Sequence, residues 1–370
     1  MTKGKPEFKK DVAFINREKE LTYLRDYINI RPESILFIHG PKSSGKTTLL
    51  YRFFDQIQKE QKLDVKFLNL RKTLTEFDDN YNYKDFLNMF FDVDDVDDKG
   101  EKTGKLSAGI NVGFFKIDSE IENKMKKGKI DPFKIMEREF IQLNEKEIKP
   151  ILIIDELQAL DKIYMNNGRD RRLIIELFNF FAAMTKESHL GHIIIASSDG
   201  YFIDRVYIDS KLKKASKFYK VDYLPKQDVM EWLLNLEKYS KIKDYTLTEE
   251  DAEKIWEAVG GSMWEIQDIL DELFHQPIDD IIQLYKKKMR SLIVDYVVKP
   301  EQEEIEKLLR RFVDRDELPK EEINSEEEKH LREMVRQNIL YFDPTEATYY
   351  PQGKSYHHGI RLYFKKGEKG

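Results

Sequence analysis

The stretch HGPKSSGKTT, residues 39–48, constrains this chain more than any other ten residues. Gly40, Gly45, Lys46 and Thr47 satisfy every fixed position of the pattern G-x-x-x-x-G-K-[ST]. Upstream, Ser34 to Ile38 is a short apolar run of buried-strand type; downstream, TLLYRFFDQIQKE carries apolar residues at helical spacing. Strand, glycine loop, helix predicts backbone N–H groups converging on a phosphate at the positive end of a helix. Gly40, Pro41, Lys42, Ser43, Ser44 and Gly45 are the expected cradle, with Lys46 on the β- and γ-phosphates, Thr47 on Mg²⁺ and Thr48 towards the α-phosphate. The loop reads as a nucleoside triphosphate site.

Its second half is expected in ILIIDE, Ile151 to Glu156, where a buried-strand run ends in two carboxylates. Ligands of open α/β sheets bind at the carboxyl ends of the strands. Asp155 is the expected Mg²⁺ acid, and Glu156 is placed to orient and polarise an attacking water. That second acid suits hydrolysis, and a small-molecule kinase would have no use for it. The run IIIASSD ends a further strand in Ser197 and Ser198, either of which is a candidate contact for the γ-phosphate or the water.

Around these motifs, apolar strand runs alternate with helical patterns as far as about residue 224, which predicts βαβ units and a parallel sheet. FINREKELTYLRDYI, Phe14 to Ile28, reads as a leading helix; residues 92–130 read as an insertion with a hairpin in KLSAGINVGFFKI. From Pro225 the strand signals fade into helices, and two helices near 301–312 and 326–337 precede the β-like runs NILYFD and ATYYPQGKSYHHGIRLYF. Helices followed by a β-hairpin is the outline of a winged helix-turn-helix. The expected organisation is an α/β core over 1–224, a helical lid over 225–298 and a winged-helix-like domain over 299–370.

Composition narrows the partners. A formal charge of −6 with 36% charged residues supplies no global field towards nucleic acid or anionic membrane. The absence of cysteine excludes disulfides and thiolate metal sites, and with the Lys/Glu-rich composition suits an intracellular protein from a hot environment. No secretory leader or 18-residue apolar stretch is present, so the chain is expected to be soluble and cytoplasmic. DVDDVDDKG fails as a calcium loop, because Lys99 and Leu106 fall where acids belong. His357 and His358 are expected near a wing tip, on opposite faces of a strand. The basic run 210–220 and a patch of Lys354, Arg361, Lys365 and Lys366 are the candidate DNA contacts, although residues 301–370 hold 16 acids against 13 Lys and Arg.

In order along the chain, FINREKEL, GPKSSGKTT, ILIIDELQAL, IIIASSDG, VDYLPKQDV and VGGSMWEIQDIL resemble the archaeal ATPase family. That family belongs to the STAND group of AAA+-related P-loop NTPases, near the origin-recognition/Cdc6-like ATPases. The resemblance covers most of residues 12–275 and implies a P-loop core of the ASCE type, a lid and a C-terminal winged helix. It further implies adenine as the base, Phe14 and Arg17 near that base, and GGSMWEI at a sensor-2-like position. Many members carry an arginine eight residues before the proline that here is Pro225, where this chain has Lys217. Lysine lacks the bidentate fork, which sets any arginine-finger role apart. The function expected is slow, Mg²⁺-dependent hydrolysis of ATP to ADP, driving a conformational switch that serves a protein partner. The rival expectations are a DNA-binding initiator-like or transposition-helper ATPase, and an interaction module that binds ATP without turning it over.

Overall fold

The computed structural model describes residues 14–70, 131–160, 163, 172–208, 210–298 and 302–367. The insertion expected at 92–130 and its acidic stretch lie outside these residues. Five parallel strands form the central sheet: β1 (Ile35–His39), β2 (Leu63–Asn69), β3 (Lys149–Asp155), β4 (His192–Ala196) and β5 (Ser216–Lys220), in the order β2-β3-β4-β1-β5. One strand, β4, therefore separates the loop strand β1 from the acid strand β3, as the ASCE arrangement requires.

The period-2 geometry of strands sorts the apolar residues onto two faces. Ile35, Phe37, Leu152, Ile154, Ile193 and Ile195 enter one core, and Leu36, Ile38, Ile151, Ile153 and Ile194 enter the other. Both faces are buried, which explains why these strands read as continuous apolar runs. Helices α1 (Glu18–Asn29) and α2 (Lys46–Ile57) cover the second face, with Leu24, Ile28, Leu49 and Phe53 packed inward. The first face is covered by α3 (Pro132–Glu145), α4 (Leu173–Ala182) and α5 (Gly200–Ile208), through Met136, Phe140, Leu177, Phe181 and Phe202. Asp131 caps α3 by accepting from Phe133 N, and Pro132 occupies the first turn, where its missing N–H costs nothing.

The leading helix begins at Glu18, later than the sequence suggests. Asn16 has a φ of 49° and breaks the helix, and its side-chain amide donates to Asp228. Strand β5 was not anticipated, because SKFYK carries its lysines within what reads as a basic surface run.

Beyond the sheet, α6 (Lys226–Leu234), α7 (Glu249–Val259) and α8 (Met263–Glu272) share an apolar core with the first half of the long helix α9 (Ile278–Val297). Thr248 and Asp251 form a capping box at the start of α7. The second half of α9 enters a further core with α10 (Gln302–Arg310), α11 (Ser325–Arg336) and a small antiparallel sheet. That sheet comprises β6 (Leu318–Pro319), β7 (Leu340–Asp343) and β8 (Thr348–Pro351), in the order β6-β8-β7. Helix, short strand, one 3-10 turn, helix and hairpin follow the order of a winged helix with its middle helix reduced to a turn.

The last β-like run is strand only over 348–351, because residues 354–367 form a helix, α12. Tyr356, Ile360 and Phe364 recur every four residues along one face of that helix and pack into the cores. His357 and His358 therefore lie on a helix rather than at a wing tip. His357 Nε2 meets Phe312 O and His358 Nε2 meets Glu257 O, each at 2.6 Å. No helix among the described residues is long and apolar enough to cross a membrane.

Candidate nucleotide site

The loop of residues 40–45 joins the end of β1 to the start of α2, so its shape is set by glycine and by helix geometry. Gly40 has a φ of 151°, and a Cβ there would stand 2.1 Å from Val221 O, where the chain leaving β5 passes. Gly45 caps α2 at a φ of 91°, a conformation that glycine adopts at little cost. The first N–H groups of α2 have no partner within the helix and face the loop with the positive end of its dipole.

Lys46 is buried and donates to Gly40 O at 2.9 Å and Pro41 O at 2.7 Å. Its ammonium is thereby held over the first turn of the loop. Thr47 Oγ1 donates to Asp155 Oδ2 at 2.7 Å, and Thr48 is half-buried one residue further along α2. Ser44 is fully buried, whereas Lys42 is exposed and Ser43 half-exposed at a φ of 65°.

Asp155 also accepts from Asn69 Nδ2 at 3.1 Å. The two residues are register partners at the carboxyl ends of β2 and β3. Asn69 was missed in the sequence, although its place at the end of a strand on the ligand edge was a usable signal. The Thr47 hydroxyl and the Asp155 carboxylate, 2.7 Å apart, are oxygen donors that suit a hard cation such as Mg²⁺. The residues fit that ion.

Glu156 turns out of β3 with a φ of 63°, while its N–H donates to Ala196 O at 2.9 Å. Its carboxylate accepts from Ser198 Oγ at 3.2 Å and from Gln158 Nε2. The two serines therefore separate: Ser198 meets the acid, and the buried Ser197 uses its hydroxyl to accept from Asp199 N at 3.0 Å. Lys217, opposite Leu36, lies at the second position of β5. At about 3.3 Å per residue it stands roughly 13 Å of strand short of the loop.

Arg17 takes an indirect place. Its buried guanidinium donates from Nη2 to Ser44 O and Asp222 O, both at 2.8 Å, and from Nη1 to Glu20 at 2.6 Å. It is a strut under the loop. Phe14 packs against the core behind α2, with the Arg52 guanidinium 5.1 Å above its ring. Between them, Ile15 is buried in the lid core.

Two further regions reach the loop. From the lid, Met263 Sδ lies 3.0 Å from the position a Gly45 Cβ would take. From the C-terminal module, Tyr341 Oη lies 3.2 Å from Nδ1 of His39, the residue before Gly40. Burial drives the His39 ring down to a pKa of about 4, so it is neutral at pH 7. Gln352 Oε1 accepts from Lys42 N at 2.6 Å while its Nε2 donates to Leu340 O at 3.1 Å. Tyr223 Oη donates to Lys42 O at 2.9 Å. Ser355 Oγ donates to the Glu265 carboxylate at 2.6 Å, and burial raises the pKa of that acid.

Known proteins resemble this chain over most of its length. Residues 14–269 match the model of an ATPase domain predominantly from Archaea, and residues 269–363 match the C-terminal domain of MJ1010-like uncharacterized ATP-binding proteins. An uncharacterized ATP-binding protein of Methanocaldococcus jannaschii is 32% identical over 340 residues, covering 90% of this chain and 93% of that one. One from Pyrococcus abyssi is 31% identical over 356 residues, covering 95% and 98%. Among solved structures, the ADP form of the Aeropyrum pernix ORC2 protein superposes with a TM-score of 0.50 at 9% identity, covering 100% of this chain and 97% of that one, a likeness of fold alone. With a phosphate loop, an acid pair and a matching domain over most of its length, the chain belongs to the family of ATPase domains found predominantly in Archaea.

Proposed function

We propose that the protein binds ATP with Mg²⁺ between the sheet edge and the lid, hydrolyses it slowly, and uses the event as a conformational switch. The observation that carries this reading is the pairing of Thr47 with Asp155 at 2.7 Å beside a second acid, Glu156, turned out of the same strand end. The backbone N–H groups of Gly45, Lys46, Thr47 and Thr48 hold the phosphates, and Lys46 offsets the charge that develops on them. Thr47 and Asp155 hold the metal, which supplies electrostatic stabilisation of the phosphoryl oxygens. Glu156 accepts a hydrogen bond from the attacking water and aligns it, with Ser198 beside it.

The switch follows from what touches the loop. The lid contacts Gly45 through Met263, and the C-terminal module contacts Lys42 through Gln352 and His39 through Tyr341. A phosphate that reshapes the loop changes those contacts, and a two-state docking of the module is the bistable element. The division 1–224, 225–298 and 299–370 is the one in which these parts would move. The partner is a protein that reads the position of the C-terminal module.

Several observations support this over an initiator-like DNA reader. Helix α11, the third helix of the winged-helix order, opens with Glu326, Glu327 and Glu328. Its Arg332 lies 4.6 Å over the ring of Tyr201 in the core. Of the basic patch, Lys354 pairs with Glu257 at 3.0 Å and Arg361 donates to Val313 O at 2.8 Å. In the run 210–220, Lys220 pairs with Asp343 at 2.8 Å.

Steady-state ATP hydrolysis by the wild type and Glu156→Gln at elevated temperature, with and without duplex DNA, tests the reading. The expected result is slow turnover, indifferent to DNA, that falls about 100-fold or more in the variant while ATP binding is retained. ATP binding without turnover in either protein would favour a structural nucleotide. Stimulation by DNA of several-fold would favour the initiator-like alternative.

A further inference from the structure

We infer that Gln158 is a positioning residue for Glu156, acting through the carboxylate to keep it aimed. The inference rests on the hydrolytic reading above. Gln158 follows Glu156 by two residues, in the 3-10 turn Leu157–Leu160 that leads out of β3. That turn brings its amide back onto the acid it follows: Nε2 donates to Glu156 Oε2, while Ser198 donates to Oε1 from across the sheet edge. Each oxygen thus accepts from a side-chain donor. A carboxylate has about four acceptor sites, so both donors are accommodated together with a water.

Two features indicate that this arrangement is maintained against local cost. Glu156 holds a φ of 63°, a left-handed conformation that a residue with a side chain adopts at an expense. Gln158 buries its own Oε1 without a hydrogen-bond partner among the described residues. A side chain present only to fill space would leave no carbonyl oxygen stranded, and an apolar residue would fill it without that penalty. The orphaned oxygen is tolerated because the other end of the amide is committed to Glu156.

The test uses Gln158→Met, which keeps length and volume but removes the donor, alone and combined with Glu156→Gln. The readouts are kcat, KM for ATP and thermal midpoint on the full-length protein. The expected result for Gln158→Met is a fall in kcat of about tenfold, with KM and the midpoint close to wild type. In the Glu156→Gln background the same change should have no further effect, because residues that act as a unit are non-additive. Wild-type kcat in Gln158→Met overturns the inference while leaving the hydrolytic reading intact. So does an added fall in the double variant, or a loss of kcat that tracks a lowered midpoint. A wild type without Glu156-dependent turnover overturns both. Gln158→Asn, with a shorter amide, checks that reach matters: kcat should stay low although the donor is restored.

Discussion

On one flank of the phosphate loop, Arg17 spans from Ser44 O to Asp222 O with a buried guanidinium, tying the loop to the chain that leaves β5. On the other flank, the C-terminal module reaches the loop through neutral groups: Tyr341 on His39 and Gln352 on Lys42 N. The first grip is charge-assisted and made within the sheet domain, by a side chain whose rigid fork reaches two carbonyls at once. The second, at the loop itself, is made of neutral hydrogen bonds, while the charged pair Lys220–Asp343 at 2.8 Å joins the same module to β5. Neutral bonds contribute about 1 kcal/mol each, and those to a charged group about twice that. The loop itself is therefore held by a charged group on one side and by neutral groups on the other, the asymmetry that the proposed switch would use.

Breaking the charged side should have the largest effect. Arg17→Ala strands two carbonyls and removes the strut, so stability should fall by about 3 kcal/mol. ATP affinity should fall at least tenfold, as read by thermal unfolding and titration calorimetry. Arg17→Lys keeps the charge and loses the fork, and should fall between the two. A wild-type affinity for Arg17→Ala would mean that the loop holds its shape without the strut, and the asymmetry would be lost.

Acid should act next, at one buried ring beside the loop and another at the opposite end of the sheet. The buried His39 and His192 rings are both held near a pKa of 4 by desolvation, against about 6.5 when unfolded. Between those values the unfolded chain binds protons that the folded chain refuses. Stability is thus full above about pH 6.5 and declines as pH falls towards 4. Each ring should account for a loss of about 2 kcal/mol between pH 7 and 5, measured by denaturant titration. Substituting His39 by Gln should flatten that slope by about half. An unchanged slope would show that the ring beside the loop is not excluded from protonation.

The smallest effect should come from Tyr341→Phe, which removes one hydroxyl from a neutral bond and should cost about 1 kcal/mol. If the contact is releasable, as the proposed switch requires, hydrogen exchange in β7 and β8 should rise in the variant while the sheet strands stay protected. Equal exchange throughout would make the module an integral part of the core.

The central sheet was open to sequence reading because its determinants are local. Buried strands of isoleucine and leucine, a glycine loop and acids at a strand end each occupy a few consecutive residues. β5 escaped because its lysines gave an edge strand the look of a solvated run. Helix α12 was misread through its tyrosines and histidines, which suggest a strand, and the four-residue spacing of Tyr356, Ile360 and Phe364 fits one face of a strand as well as one face of a helix. Tyr341 and Gln352 lie far from the loop in sequence, and nothing near them marks them as its neighbours.

By itself the sequence determined the phosphate loop, the acid pair and the parallel sheet, since backbone freedom at glycine and the alternation of buried strands are properties of short segments. Tertiary structure alone decided what surrounds the loop. It separated Ser198 from Ser197, turned Arg17 inward as a strut, and laid the C-terminal module against His39. Those outcomes depend on which cores pack together and where a long helix such as α9 carries the chain. A packing of distant segments is set by the whole fold, not by the residues on either side of a contact.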